Sequence, residues 1–231
     1  MSWWHRNNLR MIQFNMEARD AGMDVGEFVE QSRQFHVNAL MVGAGGMVGF
    51  YPSKLEHQYV SPYLGDGDML GDIIEKCHEN DIRVIGRFDI SKIHETVAER
   101  HPEWLYRSTE GGIVSMEEMV NCCISGEYMS NKAMETLEEV ATTYDIDGVF
   151  FDFFSYQWEA RDYSGREYGI CQCDSCKTQF QEMFGHELPR HPTDPHMDEL
   201  AQFQKANVNK VLDSIHDTIK HKPRNNDQYP Q

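Results

Sequence analysis

The chain has 231 residues, 40% of them apolar and 26% charged, which is enough for one domain with a real core and unlike a disordered chain. Its 38 acidic side chains against 21 basic ones leave a formal charge of −17, a sign that repels nucleic acid and anionic lipid. No apolar run approaches the roughly 20 residues of a membrane helix, and the opening Ser2-Trp3-Trp4-His5-Arg6-Asn7-Asn8 lacks a secretory pattern, so a cytoplasmic protein with reduced thiols is expected.

The first strand signal is Leu9 to Asn15, apolar enough to be buried. Asp24, with Glu27 three residues on, has the form of a helix cap, and Val25, Phe28, Val29 and Phe35 follow at helical spacing. Ala39 to Val42 reads as a second buried strand, ended by Gly43. A loop with Pro52 and Pro62 leads to a helix whose Met69, Leu70, Ile73, Ile74 and Cys77 share one face. Ile82 to Asp89 is a third strand. The segment Glu103–Ser108 then faces Ile113–Ser115 across Gly111-Gly112 as a hairpin. A helix carrying Ala133, Met134, Leu137, Val140, Ala141 and Tyr144 feeds the fourth strand, Gly148 to Phe153. After a cysteine-rich loop, Leu200 to Ile219 mark a long helix, and the tail 223–231 is polar.

Near-continuous apolar strands alternating with helices predict a parallel sheet covered by helices. An eight-unit barrel takes about 250 residues. The fourth strand ends near residue 153, so the expected fold class is α/β of the (β/α) barrel type, with residues 1–222 forming only the N-terminal half of a barrel.

Gly43-Ala44-Gly45-Gly46 invites a nucleotide-binding reading, but Pro52 blocks the helix which that mechanism needs at its glycines. A tight loop with backbone exposed toward a ligand is expected instead. Asp145-Ile146-Asp147-Gly148 lacks the remaining ligands of a calcium loop and reads as a turn entering a strand.

Cys171, Cys173 and Cys176 place three thiols within six residues, a set that converges on a soft tetrahedral ion such as zinc. Of the adjacent Cys122 and Cys123, only one can reach that ion as a fourth ligand. A redox pair, an iron–sulfur site and unrelated buried thiols are the competing readings. Asp89 and Asp152 end the third and fourth strands, where side chains of parallel sheets face the ligand crevice. Each is a candidate catalytic acid, and each could equally be a structural partner of Arg87. Arg87 and Lys92 supply positive charge, and Phe50, Tyr51, Tyr59, Tyr63, Tyr156, Trp158 and Tyr163 supply flat faces suited to sugars.

The runs Leu9–Gln13, Ala44-Gly45-Gly46 with Phe50-Tyr51-Pro52, Arg83–Asp89, His101-Pro102-Glu103-Trp104 and Asp147–Asp152 together resemble the family called hypothetical glycosyl hydrolase 6. Its members are similar to α-amylase-type and α-L-fucosidase-type (β/α)8 barrels. The resemblance runs over roughly residues 3–190. It implies a protein acting on O-glycosidic bonds, with Asp152 as nucleophile or charge stabiliser, Asp89 as a second catalytic candidate, and Asn15, Arg87, Tyr51, Tyr156 and Tyr163 positioning a carbohydrate. The run Cys123–Tyr128, taken with Cys171–Cys176, is similar to the four-cysteine zinc site of some microbial β-galactosidases. That likeness implies a structural zinc on Cys123, Cys171, Cys173 and Cys176. The chain departs from the family by ending before a fifth strand, which leaves its proton donor unassigned. The alternative is a non-catalytic, carbohydrate-binding half-barrel that pairs with a second copy, or with the missing half, through its open edges.

Overall fold

The computed structural model describes residues 8–152, 155–156 and 165–220. In chain order the elements are β1 (Met11–Gln13), α1 (Val25–Gln34), β2 (Ala39–Gly46), α2 (Met69–Glu79), β3 (Arg83–Asp89), β4 (Lys92–His94), α3 (Glu95–Ala98), β5 (Ser115–Met116), β6 (Met119–Asn121), α4 (Ala133–Thr143), β7 (Gly148–Phe151), α5 (Asp174–Phe184) and α6 (Met197–Lys220). Strands β1, β2, β3 and β7 pair side by side in that order, every pair parallel. Together they form an open sheet among the described residues. The tail from 223 lies outside them.

The pleat decides what each strand residue faces. Ile12, Leu40, Val42, Val84, Phe88, Val149 and Phe151 join one apolar core with residues of α1, α2, α4 and α6. The alternate positions, among them Asn15, Gly43, Arg87, Asp89 and Asp152, therefore fall on the opposite face. The first and fourth strands, expected to be buried, are edge strands instead. Met11 is 43% and Phe150 37% exposed, because among the described residues each strand has a neighbour on one side only.

Local capping follows the sequence. The Asp24 carboxylate accepts the Glu27 N–H at 3.0 Å, which opens α1. Phe35, expected on the apolar face of that helix, is its C-cap and is exposed. The glycine run does not form a loop: Gly43 to Gly46 extend β2, with a register shift against β3 between Gly43 and Gly45. Gly46 has φ +95°, and a Cβ there would stand 2.3 Å from the Asp89 carbonyl oxygen. Glycine is the residue that permits this close approach.

Between β3 and α4 the chain makes an excursion, an antiparallel sheet ordered β4-β6-β5. The expected hairpin contributes a bridge between Arg107 and Ile113, while the longer ladder pairs β4 with β6 and a shorter one pairs β5 with β6. The cysteine-rich segment holds a helix, α5, that apolar periodicity does not reveal.

Candidate functional site

Four side chains from three strands meet at the C-terminal end of the sheet. Arg87, on β3, is their centre. Its Nε donates to Oδ1 of Asp89 at 3.1 Å, its Nη2 reaches Oδ2 of Asp152 at 2.5 Å, and its Nη1 donates to Oδ1 of Asn15. Asp89 is two residues on from Arg87 and so shares its face. Asn15 follows β1, and Asp152 follows β7 directly. Nη2 also stands 3.0 Å from Oδ1 of Asp89, so both carboxylates hold one guanidinium nitrogen. Their two oxygens are separated by no more than those two distances combined.

Burial and charge oppose each other here. Burial pushes the Asp89 carboxyl above its usual range, and the adjacent Arg87 partly offsets that rise. Lys92, buried on β4, adds a second cation whose field reaches both acids, and burial pulls its ammonium below the usual value. Two acids and two bases in one crevice come close to neutral, which is how charges persist away from water. A cavity of about 240 Å³ opens beside them, lined by Phe14, Asn15, Gly43, Phe50, Arg87 and Asp89. Asp152 is not among its lining residues, although its side chain is 25% exposed and Arg87 only 10%.

The aromatic candidates separate. Tyr51 is 1% exposed, and its hydroxyl donates to Oε2 of Glu139 on α4 at 3.0 Å, which places it in the core and outside the crevice. Tyr59 stacks on His94 with ring centroids 3.7 Å apart. Tyr156 shares a hydrogen bond with Ser125 and packs beside the cysteines. Tyr163 and Trp158 lie outside the described residues.

The sulfurs of Cys123, Cys171, Cys173 and Cys176 all lie within 4.8 Å of one another, and all four residues are buried. The sulfurs of Cys123 and Cys176 are 3.3 Å apart. Four thiolates around one ion at about 2.3 Å would stand about 3.8 Å apart, so the cluster has the size of a tetrahedral metal site. Cys173 is the N-cap of α5, and its sulfur accepts the Cys176 N–H at 3.5 Å. Hydrogen bonds from Cys123, Cys171 and Cys176 hold the Cys173 thiol below the usual range. Alternation settles the adjacent pair: Cys123 joins the cluster, while Cys122 turns into the main core, where burial pushes its thiol up.

A second, smaller core surrounds the cluster, with Tyr106, Val114, Ile170, Phe180, Leu188, Leu200 and Phe203. The cysteines thus join the β3 excursion to α5. Gln179 of α5, which no sequence motif marks, adds a hydrogen bond to the Ser125 carbonyl at 2.8 Å. Asp147 is held by Arg83 and His78, each at 2.9 Å, and by the Val84 N–H at 2.8 Å, as a turn entering β7 requires.

The family described as hypothetical glycosyl hydrolase 6 matches residues 24–153. Among solved structures, alpha-L-fucosidase isoenzyme 2 from Paenibacillus thiaminolyticus has a TM-score of 0.71 at 23% identity, over 91% of this chain and 30% of its own. The beta-galactosidase from the psychrophilic Marinomonas ef1 has a TM-score of 0.65 at 12% identity, over 92% of this chain and 35% of its own. A cold-adapted beta-galactosidase from Rahnella sp. R3 scores 0.65 at 16%, over 93% and 34%. These likenesses establish the fold, and the chain spans about a third of the length of each. No curated protein matches the sequence. No helix of the described residues is long and apolar enough to cross a membrane.

Proposed function

Since this chain belongs to the hypothetical glycosyl hydrolase 6 family, we propose that it acts on the O-glycosidic bonds of a carbohydrate at the C-terminal end of its parallel sheet. The observation that supports this most directly is the meeting of Asp89, Asp152 and Asn15 on Arg87. Arg87 sits between the two carboxylates, so they do not bracket a glycosidic bond as acid and base. Asp152, the more exposed of the two, is the proposed nucleophile, or the stabiliser of positive charge at the anomeric carbon. Asp89 positions Arg87, and Asn15 offers a polar group to sugar hydroxyls. The ion pair with Arg87 holds the Asp152 carboxylate in a fixed orientation, as a positioned nucleophile requires.

The proton donor is proposed to come from whatever closes the sheet. Among the described residues each outer strand pairs on one side, and Met11 and Phe150 leave apolar surface on the crevice face. A second copy or the remainder of a barrel would cover both. If neither supplies a carboxyl at 5–5.5 Å or 6.5–9.5 Å from Asp152, the crevice binds carbohydrate without cleaving it.

The four cysteines fit zinc by number, softness, spacing and burial. A bound zinc would supply a closed thiolate site with no coordination position left for substrate, hence a structural role. The residues that would hold it are Cys123, Cys171, Cys173 and Cys176.

A panel of nitrophenyl glycosides tests the reading. Asp152→Ala is expected to lower turnover of the responsive glycoside by about 10²–10⁴-fold, the scale of a positioned carboxyl. Undiminished turnover in that variant would remove Asp152 from the mechanism.

A further inference from the structure

The connection from α5 to α6 carries donor groups used neither by the crevice nor by the cysteines. His186 follows Gly185, the C-cap of α5; His196 directly precedes α6; Glu199 lies in the first turn of α6. One ring nitrogen of each histidine and a carboxylate oxygen of Glu199 lie within 4.8 Å of one another. Nε2 of His186 is 3.8 Å from Oε1, and Nδ1 of His196 is 3.0 Å from Oε2. The two imidazoles stack, with centroids 3.9 Å apart and planes 18° from parallel.

An ordinary surface ion pair does not account for this arrangement. Oε2 of Glu199 is shielded from solvent and receives no hydrogen bond, although Nδ1 of His196 is at ion-pair distance. An ionised carboxylate oxygen normally collects donors. Two imidazoles and a carboxylate with an open solvent side make a donor set suited to a divalent transition ion of intermediate softness. His196 also holds φ +70°, a left-handed conformation costly for a residue with a Cβ, while its ring stacks on that of His186.

We propose that His186, His196 and Glu199 form a second metal site, which takes zinc or a similar divalent transition ion and leaves its remaining coordination to water. Bond lengths of about 2.0–2.2 Å put tetrahedral donors about 3.4 Å apart, so the separations of 3.0 and 3.8 Å need only small adjustments, with the stacked rings splaying to admit the ion. The side chains of His186 and His196 are 44% and 35% exposed and can make that adjustment. The positive end of α6 opposes a cation there, and Asp198 with Glu199 in its first turn offsets that field. Leu188 and Leu200, beside these ligands, are both in the second core. An ion here would clamp the outer end of the substructure that the cysteines organise at its inner end.

Zinc counted per chain after equilibrium dialysis of the untagged protein tests the site. Two ions are expected for the wild type and one for H186Q/H196Q, whose exposed positions leave the fold intact by circular dichroism. E199Q is expected to weaken the second ion at least tenfold. If the cysteines hold no zinc, the counts become one and zero, and the difference between wild type and H186Q/H196Q still reports this site, while C171S reports the other. Cobalt at the histidine site should lack the intense sulfur-to-metal absorption that cobalt on thiolates gives. Equal zinc counts for wild type and H186Q/H196Q would overturn the proposal.

Discussion

Asp147 illustrates how one side chain holds the sheet in register beneath the crevice. Burial alone would raise its carboxyl, but hydrogen bonds from His78 and the Val84 N–H, with the charge of Arg83, outweigh burial and hold it below the usual 3.8. A carboxyl depressed in the folded state adds stability above its ordinary range, and that stability is lost as pH falls through the folded value. Asp147→Asn is therefore expected to cost about 2–3 kcal/mol near neutral pH and to flatten the loss of stability below about pH 4, both read by denaturant titration across pH. Equal acid sensitivity in the variant and the wild type would contradict this account. At this scale the sequence is informative where partners are close along a strand, as Arg87 and Asp89 are. It is silent where they are not: nothing near Tyr51 announces that its hydroxyl meets Glu139, 88 positions away. A tyrosine in a polar loop looks like a sugar platform until that distant acid is seen to draw it inward.

Among the elements, the helices that carry a full apolar face, α2 and α4, stand where the periodicity puts them. The exceptions have physical reasons. Strands β1 and β7 are apolar because they border a crevice that the described residues leave open, so composition overstates their burial. Helix α5 buries Cys176 and Phe180; half of that inward pair is a cysteine of the sulfur cluster, which apolar spacing does not register. The cysteine cluster therefore does for α5 what a hydrophobic stripe does elsewhere. Chelation at neutral pH, or C176S, is expected to abolish hydrogen-exchange protection over 174–184 while β2 and β3 keep theirs. Full protection of α5 in C176S would show that the small core stands without metal.

For the whole molecule, the dominant fact is a four-stranded parallel sheet whose two edges are open among the described residues. Parallel sheets are stable when both faces and both edges are covered. Light scattering at rising concentration is expected to give a mass above 26.9 kDa, with M11K/F150K returning it to that value. A constant single-chain mass for the wild type would exclude pairing of copies and leave the crevice without a lid of its own kind. The halves of the chain also differ in what holds them. The sheet, its helices and most of the excursion share one core, whereas Tyr106, Val114 and Cys123 of the excursion, α5 and the start of α6 pack around sulfur, and Tyr156 touches both bodies. Changes of sequence in the sulfur-centred body can accumulate, and reshape the approach to the crevice, without disturbing the strands that present Arg87 and its acids. A descendant of this protein could alter its choice of ligand by rewriting that body alone.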